Sequence, residues 1–552
     1  MTLDRTSRVV ILLILGVGLL VRVLFLAVAS EPALVRVVPD DAYYYFQVAR
    51  NVVSGQGATF DGIHPTNGYH PLWMGALLPV AGVVRDPALF VRVALGLGVV
   101  LGFATAILLH RLVRRMTDVW WVPLLALILY WLNPRAVLSS LNGLETSLST
   151  FLFTLLLWLT IREDGVRCSV FGAGGSETGH AARGTRHATL RAVTLGLSMG
   201  LLFLARTDNV FFVAVLWLAA VATAEQGQRL RRALAMAGAA AALAVPWVAY
   251  NWLAFGSPIQ VSGLSVPYVH HELYRLQGHS GGEALAHGLK RFAVMLYEGL
   301  RGEIGYSRLI SFPAIALSLL VFVVRWRREP AARRAILVLL GLGLAGLAHL
   351  FVHSAIRWYP RPWYFDQLLV LLPAMFALAL SLLLSASSHA SRITRHAPDG
   401  FLAALLIGLA SAQTALSVDA LARGEWPWAA EMLDSARWLR ENTREDEVAA
   451  SFNAGIIGYY SGRRVVNLDG AINNAAYEAI RRKDLAGLMR EANVSHYLDF
   501  EPMTLAHFGL FLGDAAGLAK MPIVREFGRP ETAWAGSHIQ VRRLLWPPTG
   551  TQ

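Results

Sequence analysis

Apolar runs recur eleven times along the chain, most of them about 18 to 22 residues long, which is what an α-helix needs to cross a hydrocarbon layer roughly 30 Å thick. They extend approximately over Val9–Ala29, Ala88–His110, Val119–Val137, Leu144–Ile161, Ala192–Leu204, Asn209–Thr223, Ala233–Tyr250, Leu309–Val324, Ala335–Val352, Trp363–Leu384 and Phe401–Val418. The fifth and sixth are short and flank a polar turn. A chain with this pattern is a multi-pass membrane protein, and its composition agrees: 55% hydrophobic, 16% charged, mean hydropathy +0.47. The first run is long, carries Arg22 and has no clear small-residue cleavage site after it, so it reads as a retained anchor. Arg22 is the one intramembrane charge that would suit a transporter, and snorkelling or contact with a lipid phosphate explains it too.

Placing the N-terminus in the cytoplasm makes Arg and Lys about threefold denser in the cytoplasmic loops than outside. The net charge of +12 is therefore a topology signal. No basic patch interleaved with aromatics points to nucleic acid. Pro71–Val84 is apolar but short, and counting it as a span would put Arg111–Asp118 outside, so it is expected to lie at the outer surface or to re-enter. Eleven spans leave the C-terminus extracytoplasmic. The segment Val166–Arg191, rich in Gly, Ser and Arg, reads as a cytoplasmic linker. It contains Cys168, a lone cysteine that can form no intrachain disulfide.

The composition changes at Gly424. Residues 1–423 read as a transmembrane catalytic domain with a first outer loop at 30–87, and 424–552 as an extracytoplasmic α/β domain. In the latter WAAEMLDSARWLREN has helical spacing, VAASFN and RRVVNLDG read as strands, and AAYEAIRRKDLAGLMREA as one helix leading into SHYLDF. That is a βαβ-type order without a Gly-rich phosphate loop or a nucleophile elbow.

The chemistry-bearing residues gather in the outer loops. The first, Pro39–Trp73, holds Asp40, Asp41, Asp61, His64 and His70. Two adjacent carboxylates can raise one another's pKa, share a cation or pass a proton. Asp at the start of AYYYFQVARNVV also suits a helix N-cap, and that reading stands beside the chemical one. The second loop brings Asn142 and Glu145, where Glu145 is either a cation ligand or a helix cap. The third, LARTDN, brings Arg206 and Asp208, which either pair with each other or touch substrate. In HSAIRWYPRPWYF, Arg357 and Arg361 stand among Trp358, Tyr359, Trp363 and Tyr364. The aromatics suit an interfacial belt, while a guanidinium outside suits a phosphate.

An acidic pair followed by aromatics and an A-R-N helix, then GxG and a short apolar helix, resembles the GT-C superfamily of membrane glycosyltransferases. That group includes protein mannosyltransferases, aminoarabinose transferases, arabinofuranosyltransferases and oligosaccharyltransferases. The resemblance covers nearly the whole chain. It departs at Ser451–Gly470, which stands where oligosaccharyltransferases carry WWDxG and lacks those tryptophans and that aspartate, so recognition of a glycosylation sequon is not implied.

The resemblance implies an all-α GT-C-type membrane domain of about eleven transmembrane helices followed by the α/β domain. It implies transfer of a sugar from a polyprenyl-phosphate donor to an extracytoplasmic glycan, lipid or protein, among membrane lipids. Asp41, at the family spacing, would be the general base of an inverting displacement, with Asp40 orienting it or holding a divalent cation (Mg or Mn) together with Glu145. Arg357 and Arg361 would bind the donor phosphate, with His64, Asn67, Tyr69, His70, Arg206 and Asp208 as further substrate contacts. A multi-pass transporter and a noncatalytic subunit of cell-envelope polysaccharide assembly remain the alternatives.

Overall fold

The computed structural model describes residues 5–162, 184–298, 308–358, 361–385, 399–528, 533–534 and 536–546. Each of the eleven apolar runs is helical in it. Among the described residues seven helices are long and apolar enough to cross a membrane. An eighth candidate is the bent pair Val122–Trp131 and Pro134–Ser140, and Thr146–Ile161, Thr207–Ala222 and Ser311–Arg325 are shorter apolar helices. Pro71–Val83 is a helix of 13 residues, as its length suggested.

Three expectations need correction. The third run is not one continuous helix: its two parts meet at 56°. Pro134 has no N–H and drives the residue before it out of the helical region, so Asn133 is extended and caps the second part by accepting from Arg135 N at 2.7 Å. Arg22 neither snorkels nor reaches lipid. It is fully buried, its guanidinium 3.7 Å from the centroid of the Trp131 ring, and it donates to Ser140 Oγ at 2.7 Å and Gly18 O at 2.8 Å. The charge is thus accommodated by protein at the break in the bent pair. The sequence Ala475–Ala492 forms two helices, Asn474–Arg482 and Leu485–Glu491. Lys483 between them is left-handed (φ 59°), and Asp484 caps the second by accepting from Gly487 N at 2.8 Å. Most of the expected 166–191 linker, with Cys168, lies outside the described residues; Gly184–Arg191 begins the helix Gly184–Ala205.

The C-terminal part builds one five-stranded sheet from β1 (Val448–Ser451), β2 (Arg464–Asn467), β3 (Val494–Glu501), β4 (Ile523–Phe527) and β5 (His538–Arg543), ordered β2-β1-β3-β5-β4. β1 is parallel to β2 and β3, with Ala450 opposite Val466 and Tyr497; β5 is antiparallel to β3 and β4. β1 is short and wholly buried, the pattern of a strand covered on both faces.

What positions the site is a shared core. Ala42, Tyr43 and Phe46 of the helix Asp40–Val53 pack in one buried cluster with Ile456, Ile457, Tyr459, Leu498 and Ile539. Tyr43 meets the rings of Tyr459 and Tyr460 at 5.5 Å. The aromatic run that follows the acidic pair is thus spent on docking the C-terminal domain, and burying several such side chains at about 1.5–3 kcal/mol each makes this a firm joint.

Candidate functional site

The helix Asp40–Val53 starts after extended Pro39 and has no side-chain cap of its own. Asp40 does cap a helix, but a different one. Its Oδ2 accepts from Gly455 N at 3.0 Å and its Oδ1 from Ile456 N at 2.6 Å, at the start of the helix Gly455–Ser461 in the C-terminal domain. The approach requires glycine, because a Cβ at 455 would fall 2.2 Å from Asp40 O and 2.7 Å from Oδ1. Burial pushes the Asp40 carboxyl up to about 7 against those two N–H bonds.

Asp41, one residue on, faces two adjoining cavities. The first, about 380 Å³, is walled by Trp363, Trp426, Trp428 and Trp534 and carries the carboxylates of Asp40, Asp41 and Asp469. The second, about 260 Å³, is bordered by Arg206, Arg357 and Arg361 with His70, Glu145 and Asp208. Asp41, Tyr44, Arg361 and Trp363 border both, so Asp41 stands at the seam between an aromatic, acidic chamber and a cationic one. Burial raises its carboxyl, the Arg361 charge draws it back down, and Glu145 raises it again. A carboxylate raised above its ordinary range by burial, yet kept ionisable by a neighbouring cation, is suited to accept a proton.

Arg206 is clamped between two acids: Nη1 donates to Glu145 Oε1 at 3.1 Å, Nε to Asp208 Oδ1 at 3.0 Å and Nη2 to Asp208 Oδ2 at 2.6 Å. The expected pairing of Arg206 with Asp208 is therefore present, and the pair also borders the cationic chamber. Arg357 donates weakly to Gly263 O at 3.2 Å, and the Arg361 guanidinium lies 5.8 Å from the Trp363 ring centroid. Trp358 and Trp363 are only 3% and 8% exposed, so these aromatics pack inside the protein and form no interfacial belt. Tyr359 lies outside the described residues.

His70 borders the cationic chamber, with Nδ1 3.2 Å from Gln260 Nε2 and Nε2 3.7 Å from Glu145 Oε1; burial lowers its pKa while Glu145 works against that. His64, Asn67 and Tyr69 are not brought to either chamber. His64 Nδ1 is 2.7 Å from Asp61 Oδ2, inside a turn where Asp61 Oδ1 also accepts from Ile63 N and His64 N. The Asn67 amide is spent on structure: Oδ1 accepts from Val261 N and Asn474 Nδ2, and Nδ2 donates to Asn251 Oδ1, each at 3.1 Å. Tyr69 packs on Trp247 with centroids 5.6 Å apart.

Asp40 and Glu145, expected to share a cation, are engaged apart from one another, the first on backbone N–H groups and the second on Arg206. Among the described residues the group with metal-ligand geometry is Asp208, His349 and His353. Sequence reasoning misses the two histidines although they stand four apart in HLFVH, a spacing that puts both on one helix face, because the span boundary at Val352 divides them, leaving His349 in an apolar run and His353 in the loop after it. It also misses Asp469. This residue is half-buried two positions past the end of β2, its Oδ1 accepts from Ala471 N at 2.7 Å, and desolvation pushes its carboxyl up to about 7, with Asp41 adding to the rise. A signal for it does exist, since in a βαβ order ligands bind outside the carboxyl ends of parallel strands, and NLDG is such an end.

A family profile described as a domain of unknown function (DUF8728) matches residues 422–534. Comparison with curated protein sequences gives no match. Solved structures match over almost the whole chain. The oligosaccharyltransferase AglB from Archaeoglobus fulgidus, in complex with an inhibitory peptide and a dolichol-phosphate, superposes with a TM-score of 0.54 at 14% identity, covering 93% of this chain and 72% of that one. The Archaeoglobus fulgidus enzyme in complex with Zn and sulfate gives 0.51 at 14% identity over 92% and 71%. ArnT from Cupriavidus metallidurans bound to undecaprenyl phosphate gives 0.50 at 14% identity over 94% and 97%. The fold is that of these solved oligosaccharyltransferase and ArnT structures. At these identities the likeness is one of fold, and the chemistry rests on this chain's own residues.

Proposed function

We propose that the protein is a membrane glycosyltransferase that moves a sugar from a polyprenyl-phosphate donor to an extracytoplasmic acceptor, with Asp41 as general base. The observation that carries this reading is the position of Asp41 at the seam, bordering both chambers at once. The donor phosphate is assigned to the cationic chamber. Arg357 and Arg361 are the recognition groups there, since both guanidinium groups border the chamber and a guanidinium fork suits a phosphate. The acceptor is assigned to the tryptophan-walled chamber, where aromatic faces suit the apolar faces of a sugar or lipid and Asp469 is a hydrogen-bond acceptor for a hydroxyl.

The step is a single displacement. Asp41 takes the proton of the acceptor hydroxyl as its oxygen bonds to the anomeric carbon. The bond from that carbon to the phosphate oxygen breaks, its electron pair leaves with the polyprenyl phosphate, and the anomeric configuration inverts. The arginines stabilise charge that grows on the leaving phosphate. Asp40 is a positioning residue: by holding the helix Gly455–Ser461 it sets the first turn from which Asp41 projects.

The test is to incubate purified protein with a panel of polyprenyl-phosphate sugars and follow release of polyprenyl phosphate. Turnover of one donor is expected, lowered at least about a hundredfold in Asp41→Asn, in keeping with general-base contributions. Near-normal turnover in a folded Asp41→Asn protein would refute the assignment.

A further inference from the structure

The helix Arg333–Phe351 runs on into a π-helical turn, Val352–Ile356, and carries His349 and His353 across the junction. Such turns are rare and are frequent at functional sites. Both Nε2 atoms lie 3.1 Å from one atom, Asp208 Oδ2, and the histidine side chains are 2% and 1% exposed. Packing fixes the rings. His353 stacks on Tyr364 with centroids 3.8 Å apart, His349 stands edge-on to Phe212 at 5.8 Å, and the two imidazoles meet at 4.6 Å and 85°.

We propose that Asp208, His349 and His353 form a binding site for one divalent ion of the zinc class. Geometry supports it first. With metal–ligand bonds of about 2.0–2.1 Å, neighbouring ligand atoms of a tetrahedral site stand roughly 3.3 Å apart. Both carboxylate–imidazole separations here are 3.1 Å. Donor chemistry is the second support: two imidazole nitrogens and one carboxylate oxygen favour zinc over magnesium, and three protein ligands leave a fourth position open. Arg206 Nη2 donates to the same Oδ2 at 2.6 Å, so an ion would share that oxygen through its second lone pair while Arg206 keeps its bonds to Asp208 Oδ1 and Glu145 Oε1. Asp208 borders the cationic chamber while neither histidine does, so the ion would sit in that chamber's wall. The proposal does not depend on the sugar-transfer reading.

The experiment uses the full chain, purified in detergent, stripped with a chelator and titrated calorimetrically with Zn²⁺. One ion per wild-type chain is expected, retained through gel filtration, with no stoichiometric uptake of Mg²⁺. His349→Gln and His353→Gln keep an N–H for Asp208 but remove an imidazole ligand, and each is expected to weaken Zn²⁺ binding by at least about a hundredfold. Co²⁺ in place of Zn²⁺ is expected to give the visible bands of a four-coordinate site in the wild-type chain, a readout that needs no variant to fold. Absence of stoichiometric Zn²⁺ binding, a purely octahedral Co²⁺ spectrum, or unchanged affinity in both variants would reduce the cluster to a hydrogen-bonded network and overturn the proposal.

Discussion

Arg361 is the cation that draws the Asp41 carboxyl down while burial and Glu145 hold it up. Replacing it tests the base assignment through a pH profile, whatever its role in donor affinity. Removing an opposite charge close to a carboxylate raises the pKa by about one to three pH units. The sign follows from which form catalyses: the base must be ionised, so activity rises with pH through the Asp41 pKa, and a higher pKa moves the rising limb to higher pH. At a fixed pH below both limbs, moving the limb up by about one pH unit lowers the rate about tenfold, or roughly 1.4 kcal/mol. The assay is release of polyprenyl phosphate at subsaturating donor across a range of about pH 4 to 10. The phosphodiester of the donor stays ionised throughout that range and adds no limb of its own. Arg361→Gln is expected to move the rising limb up by about one to three pH units, and Arg361→Lys to leave it near its wild-type position while raising KM, because lysine keeps the charge and loses the planar fork. A limb that stays in place in Arg361→Gln, or moves down, would mean that the titrating base is not Asp41.

Asp40→Ala leaves the Gly455 and Ile456 N–H groups without their acceptors, so about 1–3 kcal/mol of stability is expected to be lost, read as a lower Tm in detergent, with turnover of the remaining folded protein reduced far less than in Asp41→Asn. Gly18→Ala places a Cβ 2.2 Å from Trp131 Nε1 and is expected to cost about 1–3 kcal/mol by overpacking, whereas Gly16→Ala, whose Cβ meets nothing within 4 Å, is expected to be neutral; equal melting temperatures for the two would disprove the clamp around Arg22. For topology, Asp446 has a side chain 72% exposed just before β1. In a Cys168→Ser background, Asp446→Cys is expected to react with a membrane-impermeant thiol reagent in intact cells, and labelling only after lysis would reverse the orientation of the C-terminal domain.

The helical spans are legible because hydropathy is a local property of the chain, and the apolar runs become helices wherever they are described. The break at Pro134 is written in the sequence as Asn-Pro and is lost when the whole apolar run is treated as one span. Strands β1 to β3 are legible from their apolar runs and turn signals. The reach of polar side chains is not. Asn67 looks like a loop residue able to touch a sugar, yet its partners come from residues 251, 261 and 474, and no local pattern reports such a bond. The cationic chamber draws on Glu145, Arg206, Asp208, Arg357 and Arg361, which meet only when distant loops converge.

The acidic pair shows where sequence reasoning stops. Adjacent side chains on an α-helix point about 100° apart, so two neighbouring carboxylates in a first turn take different partners even where both border one chamber. Asp40 is held by the docked domain while Asp41 reaches both chambers, and which acid takes which place depends on how the helix is rolled. That roll is set by Ala42, Tyr43 and Phe46, which seat the helix against Ile456, Ile457 and Tyr459. Asp40 thereby meets the helix start at Gly455, 415 residues away in the chain, and Asp41 meets the seam between the chambers. The aromatic run after the pair therefore assigns the two acids their separate tasks, and a change that rolled this helix, such as loss of the Tyr43 ring, would disturb both at once.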